Sequence, residues 1–414
     1  MYVVAICILS VLYVWILYNI PILAVGVMHL RRSGRKGRKT SPLRGEKLPS
    51  VSIIVPVKDE ELVVGRLIDA LLRLNYPPEK REVIIVEDGS ADKTVEICEK
   101  CAVRYPGQIR LVRRSMSNGK PSALNYALKY ARGEIVGVFD GDSVPESEAL
   151  MKMVKYFEEP GVAAVQGKAC SINADENMLT KFISYEQEVQ FEAYYRGKDA
   201  LKLFVPLSGS CQFIRRRVLE DVGGWDEGSL SEDMEMAVRL TEKGYRIRYA
   251  PDVRSWQESP SSLTRLFRQR LRWFRGTMEV GLKYGRLVEK MDRRCVDAEI
   301  TLAGPYVFIP CLVGYLITVY SLLIPLQPDV VSTIMAQFTS LFTVFLLSIA
   351  GIALIYATKP RKMSNVLWLP FIYAYWSIQN FVALYALIQI FLRRPRRWVK
   401  TEKTGATTNY DVKG

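Results

Sequence analysis

The chain of 414 residues contains one histidine, His29, and its position excludes much chemistry. It stands at the end of the first apolar stretch, so the polar middle of the chain can build neither an imidazole zinc site nor a Ser-His triad. Any base there must be a carboxylate, Lys, Tyr or Cys. The seven cysteines form no disulfide framework. Cys98 and Cys101 make a C-x-x-C on a helix-patterned stretch, but the second pair that a zinc site normally needs is missing. No Gly-rich phosphate loop follows the first strand pattern. No zinc-finger spacing or basic-aromatic repeat points to nucleic acid, and no paired inverted repeat points to a transporter. Charge of either sign is absent from four long stretches: Tyr2 to Met28, Thr301 to Ile324, Ile334 to Ala357 and Val366 to Leu392.

What is present has a globular average, with 49% hydrophobic and 24% charged residues, and room for two or three domains. The net charge of +14 gathers beside the apolar stretches. Arg31, Arg32, Arg35, Lys36, Arg38 and Lys39 follow the first one. A secretory signal would carry its basic residues in front; this order marks an uncleaved anchor whose downstream side is cytoplasmic. The link Pro325 to Val331 lacks Lys and Arg and is expected outside, whereas Lys359 to Lys362 is basic and is expected inside. The last stretch has basic residues at both ends, Lys359, Arg361 and Lys362 before it and Arg393, Arg394, Arg396 and Arg397 after it. A simple crossing would violate the charge rule, so a break at Ser377, Gln379 and Asn380 with a cytoplasmic tail is the expectation. Basic flanks of this kind attract anionic membrane lipids. The residues thus divide into a transmembrane anchor (1–30), a basic linker (31–46) and a cytoplasmic domain (47–260). An interfacial helix and linker (261–297), a transmembrane region of about three segments (298–392) and a basic tail (393–414) follow.

In the cytoplasmic domain, strand patterns at Val51–Pro56, Glu82–Val86, Ile109–Val112 and Ile135–Phe139 alternate with helical patterns at Glu60–Leu74, Asp92–Tyr105 and Pro121–Ala131. Such alternation predicts an α/β fold, a parallel sheet with helices on both faces and ligands at the carboxyl ends of its strands. Acidic residues stand at those ends: Asp59, Glu60 and Glu61, then Glu87 and Asp88, then Asp140 and Asp142. Their repulsion demands a cation or strong donors. Asp140 and Asp142 suit a hard divalent ion completed by water and phosphates. Ser143-Val144-Pro145-Glu146 after them predicts a helix start rather than a hairpin. Asn118-Gly119-Lys120 before a helix offers an amide and an ammonium suited to a diphosphate. Treated as a helix, Leu263 to Leu282 gathers Leu263, Phe267, Leu271, Phe274, Met278 and Leu282 in one stripe, predicted to face lipid. Gln269, Arg272 and Trp273 fall on the opposite face.

The set Asp88, Asp140-Gly141-Asp142, Ser231-Glu232-Asp233 and Gln269-Arg270-Leu271-Arg272-Trp273 resembles family 2 glycosyltransferases. It is most similar to their membrane-embedded branch of hyaluronan, chitin, cellulose and poly-N-acetylglucosamine synthases. The resemblance covers about Val51 to Trp273; Lys58-Asp59-Glu60 departs from the usual Asn before the Glu, and Ser208-Gly209-Ser210-Cys211-Gln212 matches no branch cleanly. It implies a GT-A-like, mostly parallel sheet domain between an N-terminal transmembrane helix and a C-terminal helical group. The implied reaction is inverting transfer from a nucleotide-sugar, expected to be a UDP-sugar, to a saccharide or lipid hydroxyl, with Mg²⁺ or Mn²⁺. By the same resemblance Asp233 is the base, and Asp59, Glu60, Asp88, Lys120, Asp140, Asp142, Gln269 and Arg272 hold the donor. Asp142 and Asp140 hold the metal, and Trp273 and Glu232 the acceptor. The expected product is a β-linked polysaccharide made processively and exported, past Ser377, Gln379, Asn380, Tyr315, Tyr320, Tyr373, Tyr375 and Trp376. The alternative is a single sugar added to a lipid. The segment Trp398-Val399-Lys400-Thr401 looks like a tail common in this branch.

Overall fold

The computed structural model describes residues 2–33, 48–115, 117–324, 330–358, 362–396 and 400–408. Most of the basic linker, most of both interhelical links, Trp398 and the last six residues lie outside the described residues.

Helix α1 (Tyr2–Ser33) leads into the α/β domain. Its first half is β1 (Val51–Val57), α2 (Val64–Leu72), β2 (Arg81–Asp88), α3 (Thr94–Arg104), β3 (Ile109–Arg114), α4 (Lys120–Leu128) and β4 (Ile135–Val138). Then come β5 (Val144–Pro145), α5 (Ala149–Met153), β6 (Val162–Ser171), α6 (Met178–Val189), a π-helical turn (Gln190–Tyr195) and α7 (Arg196–Ala200). The domain closes with β7 (Gln212–Arg215), α8 (Arg216–Asp221), α9 (Glu232–Glu242) and β8 (Arg246–Gln257). Helices α10 (Leu263–Tyr284), α11 (Arg293–Leu323), α12 (Val330–Ala357) and α13 (Leu369–Phe391) follow.

The eight strands form one sheet in the order β3-β2-β1-β4-β7-β6-β8-β5. Strands β3, β2, β1 and β4 are parallel, as their alternation with helices predicts. The second half is mixed: β7 runs antiparallel to β4 and β6, and β5 antiparallel to β8. The expected helix start at Ser143 is therefore replaced by a two-residue strand pairing Val144 with Trp256 and Pro145 with Ser255. The β1 run is buried almost throughout because helices cover both faces. Ile54, Ile84, Val86 and Val136 face α4 and α9, while Ile53, Val55, Val83 and Ile85 face α2 and α5. This is the period of two expected of strands.

Three helical stretches are long and apolar enough to cross a bilayer: Ile6–Arg32, Arg293–Ile317 and Met363–Phe391. Helix α12 contributes a shorter apolar stretch, Thr343–Tyr356. Helix α1 docks backbone to backbone on the domain. A methyl added at Gly26 would stand 1.8 Å from the Ala193 carbonyl oxygen, and one at Gly197 1.9 Å from that of Ile22. Below this contact the carboxylate of Asp297 on α11 accepts from Tyr18 (2.6 Å), Lys198 (2.8 Å) and the Phe204 amide (2.9 Å). Lys198 and Asp297 are fully buried, and burial pulls the Lys198 ammonium below its ordinary range, with Asp297 opposing.

Two expectations about the membrane-side helices are corrected. The apolar stripe of α10 does not face lipid along its length: Leu271, Phe274 and Met278 pack on Ala383, Ala386, Leu387 and Ile390 of α13 and on Tyr306 and Phe308 of α11. Only its ends, Leu263 and Leu282, are exposed. Helix α13 is also unbroken. Gln379 and Asn380 are buried against protein, and Ser377 donates to the Tyr373 carbonyl one turn back. It runs beside α10: its first turns pack on Phe182, Ile183 and Leu266, and near its end Gln389 accepts from Arg275. Beyond its end, Arg396 bonds the Gly228 carbonyl (3.1 Å) and Glu279 (2.8 Å).

Candidate active site

Parallel pairing places the ends of β1, β2 and β4 on one edge, where sheets of this kind bind ligands. A cavity of about 840 Å³ opens there, lined by Glu60, Asp88, Lys120, Asp140, Asp142, Glu232, Asp233, Gln269, Arg272 and Trp273. Nearly all of the expected site residues therefore meet in one place. Asp59 is the exception. It has a positive φ of 50°, accepts from the Ala91 amide (2.7 Å), and lines a neighbouring hollow with Lys58, Ser117, Asn118 and Gly119.

Gly119 adopts φ 88°, which a side chain would resist, and Pro121 suits the first turn of α4. This turn directs Lys120 inward. Its ammonium bonds Asp140 (2.6 Å), Glu232 (3.2 Å) and the Gly209 carbonyl (2.9 Å). Asp88 is bonded by Arg114 (3.2 Å) and by the Ser117 hydroxyl (2.6 Å). Glu232 and Asp233 begin α9, where negative charge is favoured by the helix dipole. Asp233 accepts from the Met234 amide (2.8 Å). Burial and the charge of Glu232 push its carboxyl up to about 7, against the pull of Lys120 and Arg272.

Asp142 is buried and accepts from the Glu258 amide (2.9 Å). Burial would raise its carboxyl, but the Lys403 ammonium at 2.6 Å outweighs burial and holds it below the ordinary range. Glu60 beside it is pushed up to about 8 by burial and by Asp142, with Lys400 and Lys403 opposing. Lys403 thus supplies a positive charge that the acidic edge requires. The two carboxylates fit a divalent ion, since Asp142 takes a cation at close range and offers oxygen, the donor that hard ions prefer. Among the described residues no group of three or more His, Cys, Asp or Glu could hold a metal alone. Phosphate oxygens and water would complete the shell.

The tail around Lys403 carries residues that sequence reasoning missed. Lys400 bonds Glu60 (3.2 Å) and the Asp59 carbonyl. Glu258 accepts from the Thr404 amide (2.7 Å), the Thr404 hydroxyl (2.8 Å) and the Gly405 amide (2.9 Å). The Glu258 partners lie 146 and 147 positions away, so no local pattern announces them. The basic tail and the segment Trp398-Val399-Lys400-Thr401 were the signals available.

The cavity also extends away from the acidic edge, between helices. Leu12, Trp15, Ile16 and Leu23 of α1, Gly304, Pro305, Val307, Phe308 and Cys311 of α11, Phe274 of α10 and Trp376 of α13 line this branch. Two of its polar members are engaged by protein: Asn19 donates to the Trp15 carbonyl, and Thr301 accepts from Lys198. Of the residues expected along an export path, Trp376 and Gln379 line the cavity. Tyr320 and Tyr373 are exposed, and Tyr373 accepts from the Tyr315 hydroxyl (2.7 Å). On α11, among the described residues, the lining runs as far as Cys311, ten residues beyond Thr301 and hence about 15 Å along the helix.

Comparison with known proteins bears on the family and the fold. The family model described as "Glycosyltransferase like family 2" matches residues 49–276. "Probable glycosyltransferase YdaM" of Bacillus subtilis is 33% identical over 295 residues, 69% of each chain. The β-monoglucosyldiacylglycerol synthase of Synechocystis is 32% identical over 58% of this chain and 50% of its own, so the match spans half of that protein. The poly-β-1,6-N-acetyl-D-glucosamine synthase of Staphylococcus aureus is 28% identical over 59% and 58%. The crystal structure of a mannosyltransferase from Pyrobaculum calidifontis, in complex with GDP-mannose and Mn²⁺, shares the fold. It has a TM-score of 0.63 at 20% identity and covers 95% of this chain and 99% of that one.

Proposed function

The chain belongs to glycosyltransferase family 2, and from that premise we propose that it moves one sugar from a nucleotide-sugar to the hydroxyl of a membrane lipid. One observation carries the choice of acceptor. The cavity runs from Asp233 into an apolar branch that reaches about 15 Å along α11, roughly half of the ~30 Å hydrocarbon core. An acyl chain suits an apolar branch of this length, whereas an exported polysaccharide needs hydrogen-bonding groups along an open path. Similarity to monoglucosyldiacylglycerol synthases supports this reading, though the sequence alone favoured a polysaccharide.

The acceptor hydroxyl enters between Asp233 and Trp273. Its oxygen attacks the anomeric carbon from the side opposite the diphosphate. The new C–O bond forms as the bond to the phosphate oxygen breaks, with inversion, and Asp233 takes the proton. Its carboxyl, near 7, is matched to that task at neutral pH. Lys120 and Arg272 neutralise the departing phosphates, Arg272 by a two-pronged fork. Asp88 accepts from the nucleotide base, and Gln269 and Glu60 border the donor. Glu232 fixes Lys120 at 3.2 Å. A divalent ion on Asp142 and Asp140, when bound, adds Lewis-acid charge at the leaving diphosphate. The domain faces the cytoplasm, since Arg31 and Arg32 end α1 on its side.

Full-length protein in lipid vesicles, offered a panel of UDP- and GDP-sugars with and without Mn²⁺, tests the reading. A lipid carrying one sugar, lost with EDTA and restored by Mn²⁺ or Mg²⁺, is expected. A ladder of water-soluble oligosaccharides overturns the choice of acceptor.

A further inference from the structure

Beside the cavity, three helices meet at one carboxylate, Glu186 of α6. It accepts from Arg270 of α10, from the Tyr375 hydroxyl (2.8 Å) and from Gln379 (3.4 Å) of α13. Arg270 also donates to the Tyr375 oxygen (3.2 Å). Arg270, Tyr375 and Gln379 are all at least nine-tenths buried. A buried ion pair contributes little to stability compared with an apolar contact of the same size, so packing alone is a poor reason for this one. What the cluster holds is more telling. The guanidinium carbon of Arg270 lies 4.6 Å from the centroid of the Trp273 ring, well inside cation–π range. Trp273 is 37% exposed, and it lines the cavity.

We propose that Arg270, pinned by Glu186 and Tyr375, is the positioning residue that holds the Trp273 indole in place for the acceptor. An unsupported indole on a helix face samples several rotamers, and each acceptor would have to freeze one of them. A ring already fixed from behind spares that ordering. The clamp also ties the acceptor platform to α13, since Tyr375 and Gln379 are its other supports. The inference rests on the reading of Trp273 as the acceptor platform, so the two need separate tests.

The clamp is tested without substrate by near-ultraviolet circular dichroism of the full chain. The wild-type spectrum minus that of Trp273→Phe isolates the Trp273 band. Arg270→Ala should abolish this band, and Glu186→Gln, which keeps the side-chain shape, should weaken it. An intact band in both variants overturns the proposal. Kinetics with the donor and lipid identified by the vesicle panel supply the second arm. Arg270→Ala should raise the acceptor KM about 3- to 30-fold, leave the donor KM within twofold, and add little once Trp273→Phe is present. Arg270→Lys, which lacks the fork, should rescue only in part. Independent, multiplicative effects of the two substitutions overturn the clamp. An acceptor KM unmoved by Trp273→Phe instead removes the platform reading, and the dichroism bands alone then decide whether the clamp stands.

Discussion

Asp233 combines a place at the start of α9 with burial beside Glu232 and two cations, and its chemistry follows from that balance. Only the ionised carboxylate accepts a proton. Below about pH 7 the raised carboxyl is increasingly protonated, so kcat/KM should fall about tenfold per pH unit on the acid side. Asp233→Asn should lower kcat by about 10²- to 10⁴-fold and abolish that acid limb, while nucleotide binding by calorimetry stays unchanged. A variant retaining both rate and limb would remove the base assignment. Asp88, Asp140, Asp142 and Asp233 were legible because each follows a strand or opens a helix in a short, recurrent pattern. Glu186 and Glu258 were not, since their partners stand between 84 and 193 positions away. Asp59 shows the converse, because its neighbours in sequence reach the cavity while its own positive φ turns it aside.

Among the elements, α10 and α13 show what periodicity conveys and what it omits. The stripe on α10 was visible at 100° per residue, and so was the separation of Gln269, Arg272 and Trp273 from it. Its partner was not, because an apolar face is satisfied equally by lipid and by another helix. The double basic flank of α13 looked like a violation of the charge rule only while a crossing was assumed. Since α13 packs on α6 and α10, we expect it to hold Met363 and Arg394 on one side of the membrane. Met363→Cys and Arg394→Cys, each made alone in a background lacking the native thiols, should react with an impermeant maleimide from the same side of sealed vesicles. Labelling from opposite sides would restore the crossing. The mixed second half of the sheet escaped notice for a related reason: β5 and β7 have two and four residues, too few to show a period.

For the whole molecule, the buried Asp297 is the joint between α1, α7 and α11. Asp297→Asn leaves Lys198 buried without its counter-charge, an expected loss of about 3–5 kcal/mol. A lowered denaturation midpoint in detergent would register it, and replacing Lys198 and Asp297 together by Leu should cost less than Asp297→Asn alone. The division of labour across this joint has a further consequence. On the proposed reading, strand tips choose the sugar, whereas α1, α11 and α13 shape what receives it, and both sets line the one cavity. Descendants of such a chain are free to exchange one half as a cassette. A hybrid carrying these helices on a cousin's sheet would inherit its glycan from one parent and its destination from the other.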